Sequence, residues 1–384
     1  MIIGVDASRS RSGGAKAHLT GIMTAVDPTA YGVSAIHLWA YEELLDLLPS
    51  FPWLVKHCPP QTKKSLSYQV RWQFNRLHQE ARCHQCDLMF NTDAGSVSRF
   101  LPCVTLSQDM LSFEGGEMQR FGWSIPRLRL LLLRYIQSRS LRNSKRVIFL
   151  TQYAADTIQK VIGSVPYSVI NHGVGREFYG SHLKYRNFLS SDRPVTCLYI
   201  SNAAMYKHQW HVVRAISLIK MAGINVKLLL VGGGKGRAQA LLDNAVFETD
   251  PGGTYIKQEP YVEHATIQKY FGVADFFIFA SSCENMPITL MEAMASGIPI
   301  ACSDRGPMPE VLRDGGLYFN PEDPVSIAKA VQTLILDTRL SHNFAERATS
   351  LAACFSWSRC ATETWQLLGT VAAHTKRSSL SPII

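Results

Sequence analysis

What most constrains this chain is the regular recurrence of short runs that are apolar at consecutive positions. Thirteen can be picked out: "MIIGVDAS", "VSAIHLW", "WLVKHC", "DLMFNT", "CVTLS", "RVIFLT" and "YSVINH" in the first half, then "VTCLYIS", "VKLLLVGG", "TYIKQ", "DFFIFAS", "PIACS" and "GLYFN". Segments such as "HQWHVVRAISLIKMAG" and "PVSIAKAVQTLIL" lie between them, with apolar residues at three- and four-residue intervals. Strands apolar on both sides, alternating with helices, make parallel sheets covered on both faces. Thirteen strands exceed one comfortable sheet, so the expectation is an α/β chain of two doubly wound, Rossmann-like domains. The polar, glycine-bearing stretch "GVGREFYGSHLKYRNFLSSDRP" is the natural connection. The expected organisation is a first domain over 1–175, a linker over 176–194 and a second domain over 195–360. Ligands of such folds bind beyond the carboxyl ends of the strands, so a cleft between the two domains is the expected site.

Composition narrows the classes. With 46% apolar and 18% charged residues, a large core is available and wholesale disorder is excluded. No apolar run approaches the ~20 residues that span a bilayer. The opening "MIIGVDASRSRSGG" reads as a buried first strand and not as a signal peptide. The nine cysteines are scattered and fit a reducing cytoplasm. Only "CHQC", Cys83 to Cys86, has ligand spacing, and no second pair follows it at zinc-site distance; no metal is expected there. A net charge of +9 calls for an acidic partner. Between Gln119 and Arg146 stand eight basic residues and no acidic one, around "LRLLLLRYI". Two readings stay open: a helix packed on a sheet with snorkelling arginines, or contact with an anionic membrane through Arg120–Arg146. Nucleic acid is not expected, because no recognition motif accompanies the charge.

Chemistry-bearing residues gather at strand ends. Glu284 follows "DFFIFAS"; Asn285 is then the expected N-cap, Pro287 falls in the first turn, and "MPITLMEAMASG" continues as a helix to Gly297. Glu292 lies inside that helix, whose amino end suits a phosphate. Each glutamate alone is also what an ordinary helix shows, an acid near the N-terminus and a solvated position. Lys207 stands at the mouth of the helix after "VTCLYIS" and can neutralise a diphosphate. "VGGGKG" permits a tight turn and lacks the spacing of a dinucleotide fingerprint or a P-loop. Gly13 and Gly14 follow the first strand and would let a ligand approach the backbone. Gln108 and Asp109 end the strand "CVTLS", and Asn171 and His172 the strand "YSVINH".

Taken in order, these pieces resemble the retaining glycosyltransferases of family 4, which adopt the GT-B fold. The resemblance is strongest from Val195 to Pro324 and includes two glutamates separated by seven residues, Glu284 and Glu292. It implies that Glu284 meets the donor sugar's hydroxyls near the reacting carbon and that Glu292 meets the nucleotide's ribose. Lys207 would bind the diphosphate together with main-chain N–H groups around Asn285 and Met286, and Gly13 and Gly14 would form the amino-terminal glycine loop. The closing "FSWSRCATETWQLL" resembles the segment whose helix crosses back to the first domain, here 361–384. Two departures stand out: Asn202 occupies the place of an arginine in the phosphate loop, and Gln108 or Asp109 that of a histidine contacting the donor sugar. The family uses no metal and no cofactor beyond the nucleotide-sugar co-substrate.

The expected function is therefore a cytoplasmic retaining hexosyltransferase, peripheral on the membrane's inner face, in surface-polysaccharide biosynthesis. It would transfer from a nucleoside-diphosphate sugar, leaning to GDP-mannose, to a saccharide or polyprenyl-linked saccharide acceptor. A nucleotide-sugar epimerase and a catalytically silent nucleotide-sugar-binding protein are the alternatives.

Overall fold

The structure, a computed structural model, describes residues 1–180 and 193–380, with no account of side chains beyond residue 376. Residues 181–192 of the expected linker and 381–384 of the expected tail lie outside the described residues. The chain forms two units, Met1–Gly173 with Ser356–Ile384, and Val174–Phe355.

All thirteen apolar runs are strands. The first unit holds β1 (Ile2–Asp6), β2 (Ala35–Trp39), β3 (Leu54–His57), β4 (Leu88–Asn91), β5 (Cys103–Ser107), β6 (Arg146–Phe149) and β7 (Tyr167–Val169). They form one sheet in the order β3-β2-β1-β4-β5-β6-β7, parallel throughout. The second holds β8 (Val195–Asn202), β9 (Val226–Gly233), β10 (Ile256–Glu259), β11 (Phe276–Phe279), β12 (Ile300–Ser303) and β13 (Leu317–Phe319). Their order is β10-β9-β8-β11-β12-β13, again parallel. The cores sit where the sequence is apolar at successive positions: Phe276, Phe277, Ile278 and Phe279 are all fully buried, as are Leu88, Met89 and Phe90. Strand order reverses between β1 and β4 in one sheet and between β8 and β11 in the other. Reversals of this kind open a crevice at the strands' carboxyl ends, and the chemistry-bearing residues lie there.

The last helix, Trp357–Leu380, packs on the first unit. The buried Trp365 donates from Nε1 to the Ile22 carbonyl at 2.9 Å, and Lys376 pairs with Asp87 at 2.8 Å. Its first residue presses on Gly21, where a Cβ would stand 2.3 Å from the Trp357 ring; the helix seats there only because that position carries no side chain.

The basic segment is a helix, Ile125–Asn143, in which Gln137, Ser138 and Leu141 are the buried residues. The reading of a helix packed along a sheet is corrected for its amino-terminal two-thirds. Ile125, Leu128, Leu132 and Tyr135 are exposed by 84, 68, 60 and 66%, and Trp123 just before them by 99%. Their spacing of three, four and three residues places them in one stripe. Among the described residues no helix is long and apolar enough to cross a membrane.

Candidate active site

Glu284 and Lys207 meet in the second unit. β8 and β11 are neighbours, so the loops that leave their carboxyl ends run side by side. Ser282 N donates to the Tyr206 carbonyl at 2.8 Å, and His208 Nε2 lies 2.8 Å from Ser282 Oγ. His208 holds a left-handed backbone, φ 48°, a conformation that non-glycine residues adopt only when their surroundings impose it. Tyr199 of β8, fully buried, donates from its hydroxyl to the Lys207 carbonyl at 2.7 Å. These contacts aim Lys207, whose Nζ donates to Glu284 Oε1 in an ion pair. The pair is mostly sheltered, with side chains 11 and 16% exposed, and the ammonium also lies 5.4 Å from the centroids of Tyr206 and Phe279. A lysine and a carboxylate so placed satisfy one another, and each has capacity left for a ligand's anionic and hydroxyl groups.

The following helix begins later than expected. It spans Ile288–Ser296 with Pro287 at its N-cap and no side-chain cap bond. The helical region is disfavoured for the residue before a proline, and the helix starts only after Pro287. Asn285 is therefore not its N-cap; Asn285 and Met286 are buried in the loop ahead of it. The free amino-terminal N–H groups belong to Ile288 and its successors.

Glu292 is corrected more sharply. It is not a solvated helical acid but 1% exposed, and its Oε1 lies 2.6 Å from His264 Nε2. That hydrogen bond, outweighing burial, raises the His264 pKa above its ordinary value, as a buried carboxylate with a cationic partner requires. Glu292 Oε2 is buried and has no hydrogen-bond partner among the described residues. A buried carboxylate oxygen left unmet costs free energy, and a ligand hydroxyl is the group that would meet it.

The other expected residues are dispersed. Asn202 is the exposed last residue of β8, opposite Gly233. Near the end of β9, Gly232 has φ 134°, and a Cβ there would lie 2.2 Å from the Ser201 carbonyl oxygen. A residue without a side chain there lets the ends of β8 and β9 close up. In the first unit, Gly13 and Gly14 open the helix Gly13–Thr24 and do not form a loop. Ser12 caps that helix by accepting from Ala15 N at 3.2 Å, and space beside Gly13 is open to 4 Å. Asp109 has both oxygens engaged, accepting from Leu111 N and Gln137 Nε2, each at 3.1 Å, and burial raises its pKa. Gln108 donates to the Thr92 carbonyl at 2.8 Å. His264, His208 and Tyr199 were not foreseen. Only Tyr199 carried a signal, a polar tip inside an otherwise apolar strand.

Residues 184–351 match the family model described as glycosyl transferases group 1. Among curated relatives, the O-antigen chain mannosyltransferase B of Escherichia coli is 27% identical over 44% of this chain and 44% of its own length. The chain thus spans less than half of that relative. Among solved structures, the sucrose-phosphate synthase of Thermosynechococcus elongatus superposes with a TM-score of 0.77, at 16% identity, over 97% of this chain and 100% of that one. Anabaena Alr3699/HepE in complex with UDP and glucose gives 0.70, at 18% identity, over 95 and 98%. Likeness over whole chains at such low identity shows the fold, and the fold is GT-B.

Proposed function

We propose that this chain is a retaining hexosyltransferase of surface-polysaccharide assembly. It takes a hexose from a nucleoside-diphosphate sugar, with GDP-mannose as the leading donor, and passes it to a saccharide or polyprenyl-linked saccharide acceptor. The observation that carries the reading is the sheltered Lys207–Glu284 pair set beside Glu292 and its unmet oxygen. These are a cation, a carboxylate for sugar hydroxyls and a carboxylate for ribose hydroxyls, all at the carboxyl end of one doubly wound sheet. Lys207 and the N–H groups at Ile288 would offset the diphosphate, with Asn285, Met286 and Asn202 beside it. In retaining transfer the C1–oxygen bond to the diphosphate breaks and a bond to the acceptor oxygen forms on the same face, the acceptor's proton leaving with the phosphate. Asp109 enters as a positioning group, because its oxygens are taken by Leu111 N and by Gln137 Nε2 of the helix Ile125–Asn143; Gly13 offers open backbone at a helix start, with Gly14 next to it. Lys64, Arg71, Arg76 and Arg99 line a cavity of about 690 Å³ in the first unit, which supports an anionic acceptor linkage.

Incubation with a panel of sugar nucleotides, reading nucleoside diphosphate release and the sugar product, tests this. Release with transfer to a saccharide acceptor is expected. A free epimerised sugar supports the epimerase instead, and the absence of binding to every sugar nucleotide overturns the proposal.

The same reading seats the enzyme on the inner face of an anionic membrane through the stripe Ile125, Leu128, Leu132 and Tyr135. Arg127, Arg129 and Arg134 flank the stripe within one helix. Each arginine near such a surface contributes about 1 kcal/mol, so the double variant Arg127→Ala/Arg134→Ala should bind phosphatidylglycerol vesicles about 30-fold more weakly in co-sedimentation. Leu128→Glu with Leu132→Glu should abolish binding. Equal sedimentation of all three proteins, or equal binding to pure phosphatidylcholine, removes the membrane contact.

A further inference from the structure

We propose that His37, His57 and His84 form a site for one first-row transition-metal cation of the zinc class at the edge of the first sheet. One suitable nitrogen from each of the three rings lies within 4.8 Å of the others, and His37 Nδ1 and His57 Nε2 are 2.9 Å apart. Zinc–imidazole bonds of about 2.0–2.1 Å in tetrahedral geometry put ligand nitrogens about 3.3 Å apart, so the first two already stand near that spacing.

The fold brings the three together from separate elements. β2 and β3 are parallel neighbours with Trp39 opposite His57. His37, two residues before Trp39, therefore points to the same face as Trp39. His84 ends the helix Leu77–Cys83 and precedes Gln85, whose φ is 56°. A left-handed glutamine is an uncommon turn, and it leaves His84 over the two strand histidines, its ring centroid 4.4 Å from His37 and 4.7 Å from His57. His84 is exposed, so its ring has room to close the remaining distance onto an ion.

The support beneath is rigid. The Trp39 indole stacks on His57 at 4.8 Å and 15° and is itself held by Nε1 donation to Glu80 at 2.9 Å. The second oxygen of Glu80 accepts from Trp72 Nε1 at 2.9 Å. A donor set of imidazoles without a carboxylate selects zinc, copper or nickel over magnesium and calcium. Three protein ligands leave a fourth position for water. Bound there, the ion would tie β2 and β3 to the turn after Leu77–Cys83. All three residues lie apart in chain and sheet position from Lys207, Glu284 and Glu292, so the proposal does not depend on the transferase reading.

The test titrates the reduced full-length protein with Zn(II) against a chromophoric chelator, alongside His84→Gln, His57→Gln and Cys83→Ser. The wild type should take up one tight equivalent and gain thermal stability on doing so. His84→Gln should bind about 100-fold more weakly or worse while keeping the wild-type circular dichroism, since the side chain is exposed. His57→Gln should behave likewise, and Cys83→Ser should bind as the wild type does. Uptake of less than one equivalent by the wild type overturns the site. So does undiminished binding by His84→Gln. Loss of binding in Cys83→Ser overturns the assignment to histidines and moves the ligands to the Cys83–Cys86 pair.

Discussion

Glu284→Gln is expected to lower the turnover of sugar transfer by roughly 100- to 10,000-fold while leaving nucleoside diphosphate affinity within a few-fold. The range is that of removing one charged group from its place at a developing charge. Glutamine keeps the shape and can still accept from Lys207 Nζ, so the loop stitched by Ser282, Tyr206 and His208 should hold its conformation. On the proposed reading, what disappears is the negative charge that would face the sugar as the bond to the diphosphate weakens. Lys207→Ala should divide its effect differently. On the same reading it would remove a contact to the diphosphate made both in the bound donor and in the transition state, so KM for the donor should rise along with the loss in kcat/KM. It also leaves Glu284, 16% exposed, without its counter-charge. Steady-state kinetics of both variants, with calorimetric titration of the nucleoside diphosphate, separates the roles. A Glu284→Gln enzyme retaining more than a tenth of wild-type turnover would remove Glu284 from the chemistry.

Legibility followed how local each determinant is. The thirteen strands could be read because each is buried on both faces, which writes an unbroken apolar run such as "DFFIFAS" into the chain. Two sheets followed from their number. The helix was expected to start two residues earlier than Ile288 because Asn285 is a good cap in isolation. Pro287 disfavours helical geometry at the residue before it, and the helix begins one residue beyond the proline. Glu292 could be placed on its helix but not in its environment. Its burial and its partner His264 come from a loop 28 residues earlier, and no spacing in the sequence joins them. The three histidines of the proposed metal site are separated by 20 and 27 positions and meet only once β2 and β3 pair in register. The helix Ile125–Asn143 shows the converse. Its sequence left burial and exposure balanced, and only the folded chain shows Leu128 and Leu132 exposed.

The largest stability effect is expected below pH 6.5, from a pair of histidines that the site does not use. His18 and His172 are fully buried in the first unit, with their Nδ1 atoms 3.0 Å apart, and the Trp357 ring stands beside both. His18 Nε2 has no hydrogen-bond partner among the described residues. Burial lowers the His18 pKa to about 3; burial, followed by the neighbouring His18, pushes His172 well below its ordinary value. Both folded-state values lie under the unfolded value near 6.5, so the unfolded chain binds more protons in that interval. The stabilisation is complete above pH 6.5 and is lost as pH falls towards 3. For His18 alone the loss is roughly 2 kcal/mol at pH 5 and about 4 kcal/mol at pH 3. The pair joins the helix Gly13–Thr24 to the segment after β7, and through Trp357 to the last helix, so acid should loosen the helix that begins with Gly13 and Gly14. Urea unfolding at a series of pH values between 7.5 and 5 measures this, with His18→Gln as the comparison. The variant starts less stable at pH 7.5, having lost a packed ring. Its stability should fall with pH by about one proton less than the wild type's, because one group no longer titrates between the two states. Parallel slopes for the two proteins would mean that His18 takes up its proton in the folded state as readily as in the unfolded chain, and that the buried pair does not set the acid limit.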